Sequence, residues 1–179
     1  MSQTLNQTVT ASKNSIAQAM LEEFERELVA TRKFLERIPA DKMSWKPHPK
    51  SMSAGQLAYH IAETPAQALK FVAQDRQAPP DLSNREEAGS TRELLALLDE
   101  GAACLREELP NVEDARMRAI FTIDLPDGSA IELPRQRFLR SIMLNHWYHH
   151  RGQLGVYLRL LGVSVPSSYG PSGDEMGGV

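Results

Sequence analysis

The chain has 179 residues, which is the length of about one domain. Hydrophobic residues make up 41% and charged residues 24%, as is usual for a folded globular protein. The 20 Lys and Arg residues against 23 Asp and Glu residues give a net charge of −3. That balance argues against a strongly basic nucleic-acid-binding protein, so we expect no nucleic-acid partner.

Neither a membrane span nor a secretion signal is expected. The apolar stretch Leu94–Leu98 is far shorter than the roughly 20 residues that a membrane helix needs. The first fifteen residues have neither a basic start nor an apolar run of signal-peptide length. The single cysteine, Cys104, cannot form an internal disulfide, which fits a reducing compartment. We therefore expect a soluble, cytoplasmic protein.

Apolar residues at steps of three and four predict a first helix from about Ser15 to Ile38, ended by Pro39. After a Pro-containing loop, the S-x-x-Q pattern of Ser53 and Gln56 predicts the start of a second helix. Pro65 lies inside that helix. We expect it to kink the helix and to leave the backbone carbonyl four residues earlier, that of Ile61, without its usual donor.

Residues 75–89 are polar and contain two adjacent prolines, so they predict a long connection. A second capping box, Ser90 with Glu93, then predicts a third helix that Pro110 closes. Between Pro110 and Pro134 apolar residues alternate on either side of the sequence Pro-Asp-Gly-Ser. This period of two predicts a short β-hairpin.

A last and longest helix is predicted from about Arg135 to Leu161, with Gly162 as its stop. We expect residues 1–14 and 163–179 to be non-helical tails of a single domain that spans residues 1–179. Four amphipathic helices with two long connections predict an all-α four-helix bundle other than a simple up-down-up-down meander.

Three of the five histidines lie at positions 146, 149 and 150. His146 and His150 fall on the inward stripe of the last helix, one turn apart, where two imidazoles can hold one metal ion. His60 lies on the inward stripe of the second helix and could supply a third nitrogen. Three histidine ligands leave at least one coordination position for water or substrate, as in catalytic metal sites.

Plainer interpretations remain open. A histidine on an apolar stripe is commonly a hydrogen-bonded core residue, and His149 could replace a ligand or lie beside one. His48, in the Pro-rich loop, fits a solvated residue better than a ligand. Glu63, one turn after His60, is a weak candidate for a general base and is otherwise a solvated helix residue. Cys104 has no neighbouring base in the sequence, which favours a structural thiol.

Further open alternatives concern the residues around these histidines. Tyr59 and Gln153 either orient ligands or only pack. Arg151 either forms a salt bridge or holds an anionic substrate. The aromatic residues Trp45, Trp147 and Tyr148 are interpreted as core or interface residues.

Two segments resemble signature motifs of the DinB-like (DinB/YfiT) superfamily. Residues 144–154, LNHWYHHRGQL, are similar to its last-helix motif, and residues 52–61, MSAGQLAYHI, to its second-helix motif. Residues 165–172, VPSSYGPS, resemble the ending of many members. The resemblance extends over most of the chain from the Trp45-Lys46-Pro47 loop onward, and Pro65 is a departure from the usual pattern.

The resemblance implies a bundle in up-down-down-up order that holds one divalent transition metal, such as Zn, Ni or Fe, through His60, His146 and His150. It also implies a metal-dependent enzyme that activates a small-molecule thiol or water for transfer to an electrophilic substrate. Bacillithiol, mycothiol and glutathione are the thiols used in the superfamily. The alternative is a non-catalytic metal-binding protein of a stress or damage response. A homodimer is compatible with the resemblance, although the sequence alone does not require one.

Overall fold

Four long helical runs dominate the part of the chain that the computed structural model describes, which is residues 14–81, 83 and 85–176. The first three runs are α1 (Ser15–Glu36), α2 (Ala54–Phe71) and α3 (Thr91–Glu108). The fourth, here named the last helix, combines α5 (Arg135–Leu139), a π-helical segment (Arg140–His146) and α6 (Trp147–Leu160). The short elements are the helix α4 (Asp114–Arg118), the 3₁₀ turns Ala40–Lys42 and Leu109–Asn111, and the strands β1 (Arg76–Gln77), β2 (Ile120–Asp124) and β3 (Ala130–Pro134).

The starts of α2 and α3 follow their capping residues. The Ser53 hydroxyl accepts from the Gln56 amide, and the Gln56 side chain accepts from the Ser53 amide, both at 3.0 Å. The predicted capping box of α2 is therefore complete. At α3 the Ser90 hydroxyl accepts from the Glu93 amide at 3.2 Å. The Glu93 carboxylate, however, accepts from the Gly89 amide, one residue before the predicted position, so the second box is incomplete.

The four long runs form a bundle in up-down-down-up order, as expected. α1 and the last helix run in the same direction, whereas α3 is antiparallel to α1 and α2 is antiparallel to the last helix. The contacts that fix these directions are Arg32–Asp99 and Glu25–Arg106, Glu23–Arg140 and Glu27–Arg151, and Met52–Tyr157 and Phe71–Phe138.

The predicted hairpin is present and carries an additional strand. β2 and β3 pair antiparallel, and Gly128 in the connecting turn has a φ of 84°, a conformation that favours glycine. β1 pairs parallel with β2, so that Arg76 lies opposite Thr122. The prediction of a long connection over residues 75–89 did not include β1, because a two-residue strand leaves no periodic pattern.

The predicted inward face of the last helix is largely buried, but its backbone is not uniformly α-helical. Leu139, Met143 and Leu154, which follow the same steps of three and four as His146 and His150, are fully buried. The turns from Arg140 to His146 are the wider turns of a π-helix, in which each amide bonds the carbonyl five residues earlier. Such segments are frequent at functional sites, and this one ends at a predicted metal ligand.

The C-terminal segment and the lengths of the helices also bear on the expected fold. Residues 163–176 contain no helix, as predicted, whereas the N-terminal tail lies outside the described residues except for Asn14. None of the helices in the described ranges is long and apolar enough to cross a membrane.

Candidate metal centre

The structure brings together His60, His146 and His150, the three histidines on the predicted inward stripes. One ring nitrogen of each lies within 4.8 Å of the others. The ring centres of His146 and His150 are 4.3 Å apart, and His60 lies 5.3 Å and 4.8 Å from them. α2 supplies one imidazole and the last helix supplies two, so the antiparallel packing of these helices creates the cluster.

Burial keeps the two histidines of the last helix uncharged at neutral pH. It lowers the pKa of His146, and it lowers the pKa of His150 to about 4, with further lowering of both from the neighbouring imidazoles. A hydrogen bond to Gln153 partly opposes the effect at His150. The neutral imidazole is the form that ligates metal, so no proton has to be removed from these two residues at pH 7.

His150 has a hydrogen-bond partner outside the cluster, whereas the outer nitrogen of His146 has none among the described residues. Gln153 Oε1 lies 2.7 Å from His150 Nδ1 and accepts a hydrogen bond from its N–H, which leaves the lone pair on Nε2. That Nε2 approaches His146 Nε2 to 2.5 Å. The Nδ1 of His146 is buried and has no hydrogen-bond partner among the described residues. One buried nitrogen of the cluster therefore makes no hydrogen bond to the described part of the protein.

The remaining histidines lie outside the cluster. His149 is exposed, and its ring centre is 5.0 Å from that of His150 and 6.5 Å from that of His146. His48 is exposed in its loop, where its Nδ1 accepts from the Lys50 amide at 3.2 Å. The geometry therefore groups His150, rather than His149, with the other two inward histidines.

A cavity of about 200 Å³ lies against His60. Glu63, the candidate base, lies in its wall, half-buried, with Oε1 3.7 Å from His60 Nδ1. Tyr59, which also lines the cavity, is hydrogen-bonded to Glu86, which raises the pKa of the phenol to about 12. Besides His60 and Glu63, the lining residues are Gln56, Tyr59, Asp81, Arg85 and Glu86. The last three lie in the connection after β1, and no pattern in the sequence indicated that it folds over the second helix.

Two other candidates have structural partners. The Arg151 guanidinium is buried and paired with Glu27 at 2.6 Å, so the salt-bridge interpretation is correct. Burial raises the pKa of the Cys104 thiol, as does the nearby carboxylate of Glu108. A raised pKa disfavours the reactive thiolate. Neither residue lines the cavity beside His60.

Comparison with known proteins agrees with the sequence resemblance. The model of the DinB family matches residues 1–177. YjoA of Bacillus subtilis strain 168 is 30% identical over 133 residues, which are 74% of this chain and 82% of YjoA.

Solved structures share the fold. A DinB-like protein from Bacillus cereus ATCC 10987 has a TM-score of 0.64 at 22% identity, covering 85% of this chain and 97% of its own. YfiT from Bacillus subtilis, described as a probable metal-dependent hydrolase with an unusual four-helix bundle topology, has a TM-score of 0.61 at 16% identity. That alignment covers 87% of this chain and 93% of YfiT. The chain belongs to the DinB family.

Proposed function

We propose that the protein is a divalent-metal-dependent enzyme that activates water or a small-molecule thiol for attack on an electrophilic substrate. The observation that carries the proposal is the cluster of His60, His146 and His150, with one nitrogen of each within 4.8 Å of the others. Three imidazole ligands leave a coordination position for a reactant, which distinguishes catalytic sites from closed structural ones.

The residues present fit a metal ion. His146 and His150 are uncharged at pH 7, and the unpartnered Nδ1 of His146 leaves one buried imidazole without an outer partner among the described residues. The facing Nε2 atoms of His146 and His150 lie 2.5 Å apart. A shared cation would bind the lone pairs of the facing nitrogens, and the ring proton of His146 would then lie on its Nδ1. Imidazole suits Zn, Ni, Fe and Cu alike, so the ligand set does not select the metal. When bound, such an ion supplies a Lewis acid that lowers the pKa of water or of a thiol.

The chain's own residues would orient the reaction. Gln153 holds the His150 ring with Nε2 toward the cluster. Glu63 lines the cavity beside His60 and would accept the proton of the attacking nucleophile through its carboxylate. A cavity of about 200 Å³ suits a small molecule or one end of a larger one.

Water and thiol are both candidate nucleophiles. The description of YfiT as a probable metal-dependent hydrolase supports water. The superfamily resemblance supports a thiol such as bacillithiol, mycothiol or glutathione. A thiol co-substrate requires a reducing compartment, and we propose the cytoplasm. A homodimer remains a prediction.

The test compares the metal-loaded wild type with the variants His150→Ala and His149→Ala. Each is assayed for hydrolysis of activated esters and amides, and for conjugation of the three thiols to a chromogenic electrophile. We expect turnover that requires metal and His150 and that persists in the His149 variant. A second variant, Glu63→Gln, should lower turnover at unchanged metal content.

A fully metal-loaded protein without any of these activities would contradict the proposal of an enzyme. The non-catalytic metal-binding protein would then be the better description. Equal turnover of the His150→Ala variant and the wild type would contradict the assignment of the site.

A further inference from the structure

The proline in α2 leaves a backbone acceptor without its helical donor. Pro65 has no amide hydrogen, so the carbonyl of Ile61, four residues earlier, receives no α-helical hydrogen bond. α2 nevertheless continues through Pro65 to Phe71. Ile61 is buried, and a buried carbonyl without a partner is rare in native proteins.

A tryptophan on another helix supplies the missing donor. Trp147 Nε1 donates to the Ile61 carbonyl at 2.8 Å, across the interface between the last helix and α2. The indole is 1% exposed and is stacked on Phe24 of α1, with ring centres 5.1 Å apart and planes 21° from parallel. This packing holds the indole N–H in the direction of the acceptor.

The two bonded residues are the chain neighbours of two proposed metal ligands. Ile61 directly follows His60, and Trp147 directly follows His146, where the π-helical segment ends. One side-chain hydrogen bond therefore connects the two backbones that carry ligands from different helices. A shift of either helix along its axis would break the bond and separate the ligand nitrogens together.

We infer that Trp147 is a positioning residue of the metal site, which fixes the separation of His60 and His146 through the carbonyl that Pro65 leaves free. The inference rests on the metal site of the proposed function. A purely packing role predicts something different, because packing depends on the shape of the ring and not on its N–H.

The indole N–H of Trp147 can be removed while the bicyclic ring is kept. The chain contains two tryptophans, Trp45 and Trp147, so in the variant Trp45→Phe a tryptophan analogue is incorporated only at position 147. Benzothienylalanine keeps the bicyclic ring but replaces the N–H with sulfur. The matched control is the Trp45→Phe protein with natural tryptophan. Both proteins are stripped of metal, checked for folding by circular dichroism, and titrated with Co²⁺ while the visible ligand-field spectrum is recorded.

We expect the analogue to bind Co²⁺ about tenfold more weakly, which is the usual cost of losing a partner outside the ligand shell, with a changed ligand-field band. Equal affinity and an equal spectrum would overturn the role of Trp147. If the control itself bound no Co²⁺, the metal site would be wrong and this inference with it, so the two failures are distinguishable.

The same pair of proteins with Pro65→Ala provides a second test. The alanine introduced by this substitution has an amide hydrogen that can bond the Ile61 carbonyl within α2. In this background the loss of the indole N–H should weaken Co²⁺ binding less than tenfold, because the acceptor then has another donor. An equal loss in both backgrounds would overturn the proposed connection between Pro65 and Trp147.

Discussion

Buried polar side chains at the hairpin end of the bundle differ in their hydrogen bonding from those of the histidine cluster. At the hairpin end the Arg135 guanidinium is 2% exposed, and each of its nitrogens has a partner within the protein. Its acceptors are the carbonyls of Val72, Gln74, Ala119 and Ile120 and the carboxylate of Asp75. In the cluster the Nδ1 of His146 has no partner in the described part of the chain.

The difference separates a structural role from one that involves a ligand. Arg135 fastens the end of α2 to the start of β2, and all its donors are used in doing so. The three imidazoles connect α2 to the last helix, and the facing Nε2 atoms of His146 and His150 contact each other at 2.5 Å. A polar cluster that the protein leaves incomplete is the place where a ligand from outside can bind with the largest gain.

The largest effect is expected from Arg135→Met, which removes a buried guanidinium that donates to four backbone carbonyls. We expect the free energy of unfolding to fall by about 3 kcal/mol or more. Urea unfolding measures it, with the exposed neighbour variant Arg137→Met as the control, for which a change within about 0.5 kcal/mol is expected. Equal stability of the two variants would show that the Arg135 network contributes little.

Acid should destabilise the metal-free protein through the cluster. The pKa of His150 is about 4 in the folded protein, below the ordinary value of 6.5. The unfolded chain therefore takes up the proton first as the pH falls, and stability is lost between pH 6.5 and pH 4. The loss from this residue is up to about 3 kcal/mol.

Unfolding of metal-free wild type and of His150→Asn across that range checks this expectation. The variant should lose less stability on acidification than the wild type. Parallel pH profiles of the two proteins would contradict the effect of burial on His150.

The smallest effect is expected from Gln153→Leu, which removes the acceptor for His150 Nδ1. We expect metal affinity to fall about tenfold, because the ring is then no longer held with Nε2 toward the ion. The unfolding free energy of the metal-free protein should fall by about 1 kcal/mol, because His150 Nδ1 loses its hydrogen-bond partner. Calorimetric metal titration tests this against the exposed control Gln67→Leu. Unchanged metal affinity would contradict the role of Gln153 in orienting His150.

Much of the fold could be predicted from local patterns. The helix starts at Ser53 and Ser90, the stop before Pro39 and the alternation around Gly128 are each encoded within a few neighbouring residues. The π-helical segment could not be predicted, because apolar steps of three and four fit an α-helix equally well. The strand β1 depends on pairing with Thr122 and Ile123, far along the chain.

The candidate site, too, could be predicted from the sequence only in part. Helical periodicity puts His146 and His150 on the inward face of the last helix and His60 on the inward face of α2. The cluster therefore follows from periodicity and bundle packing. Pro65 indicated the free carbonyl of Ile61, but not that Trp147 would be its donor, since that contact depends on the register between two helices. The cavity wall formed by residues 81, 85 and 86 comes from a connection without periodicity.

The histidine cluster should bind a metal ion in the crystal if it is a metal centre. An anomalous-difference map from crystals grown with Zn²⁺, recorded on both sides of the zinc absorption edge, tests it most directly. We expect one peak about 2.0–2.1 Å from a nitrogen of each of His60, His146 and His150. A map without a peak among these three residues, or a peak bound by His149 in place of His150, would contradict it.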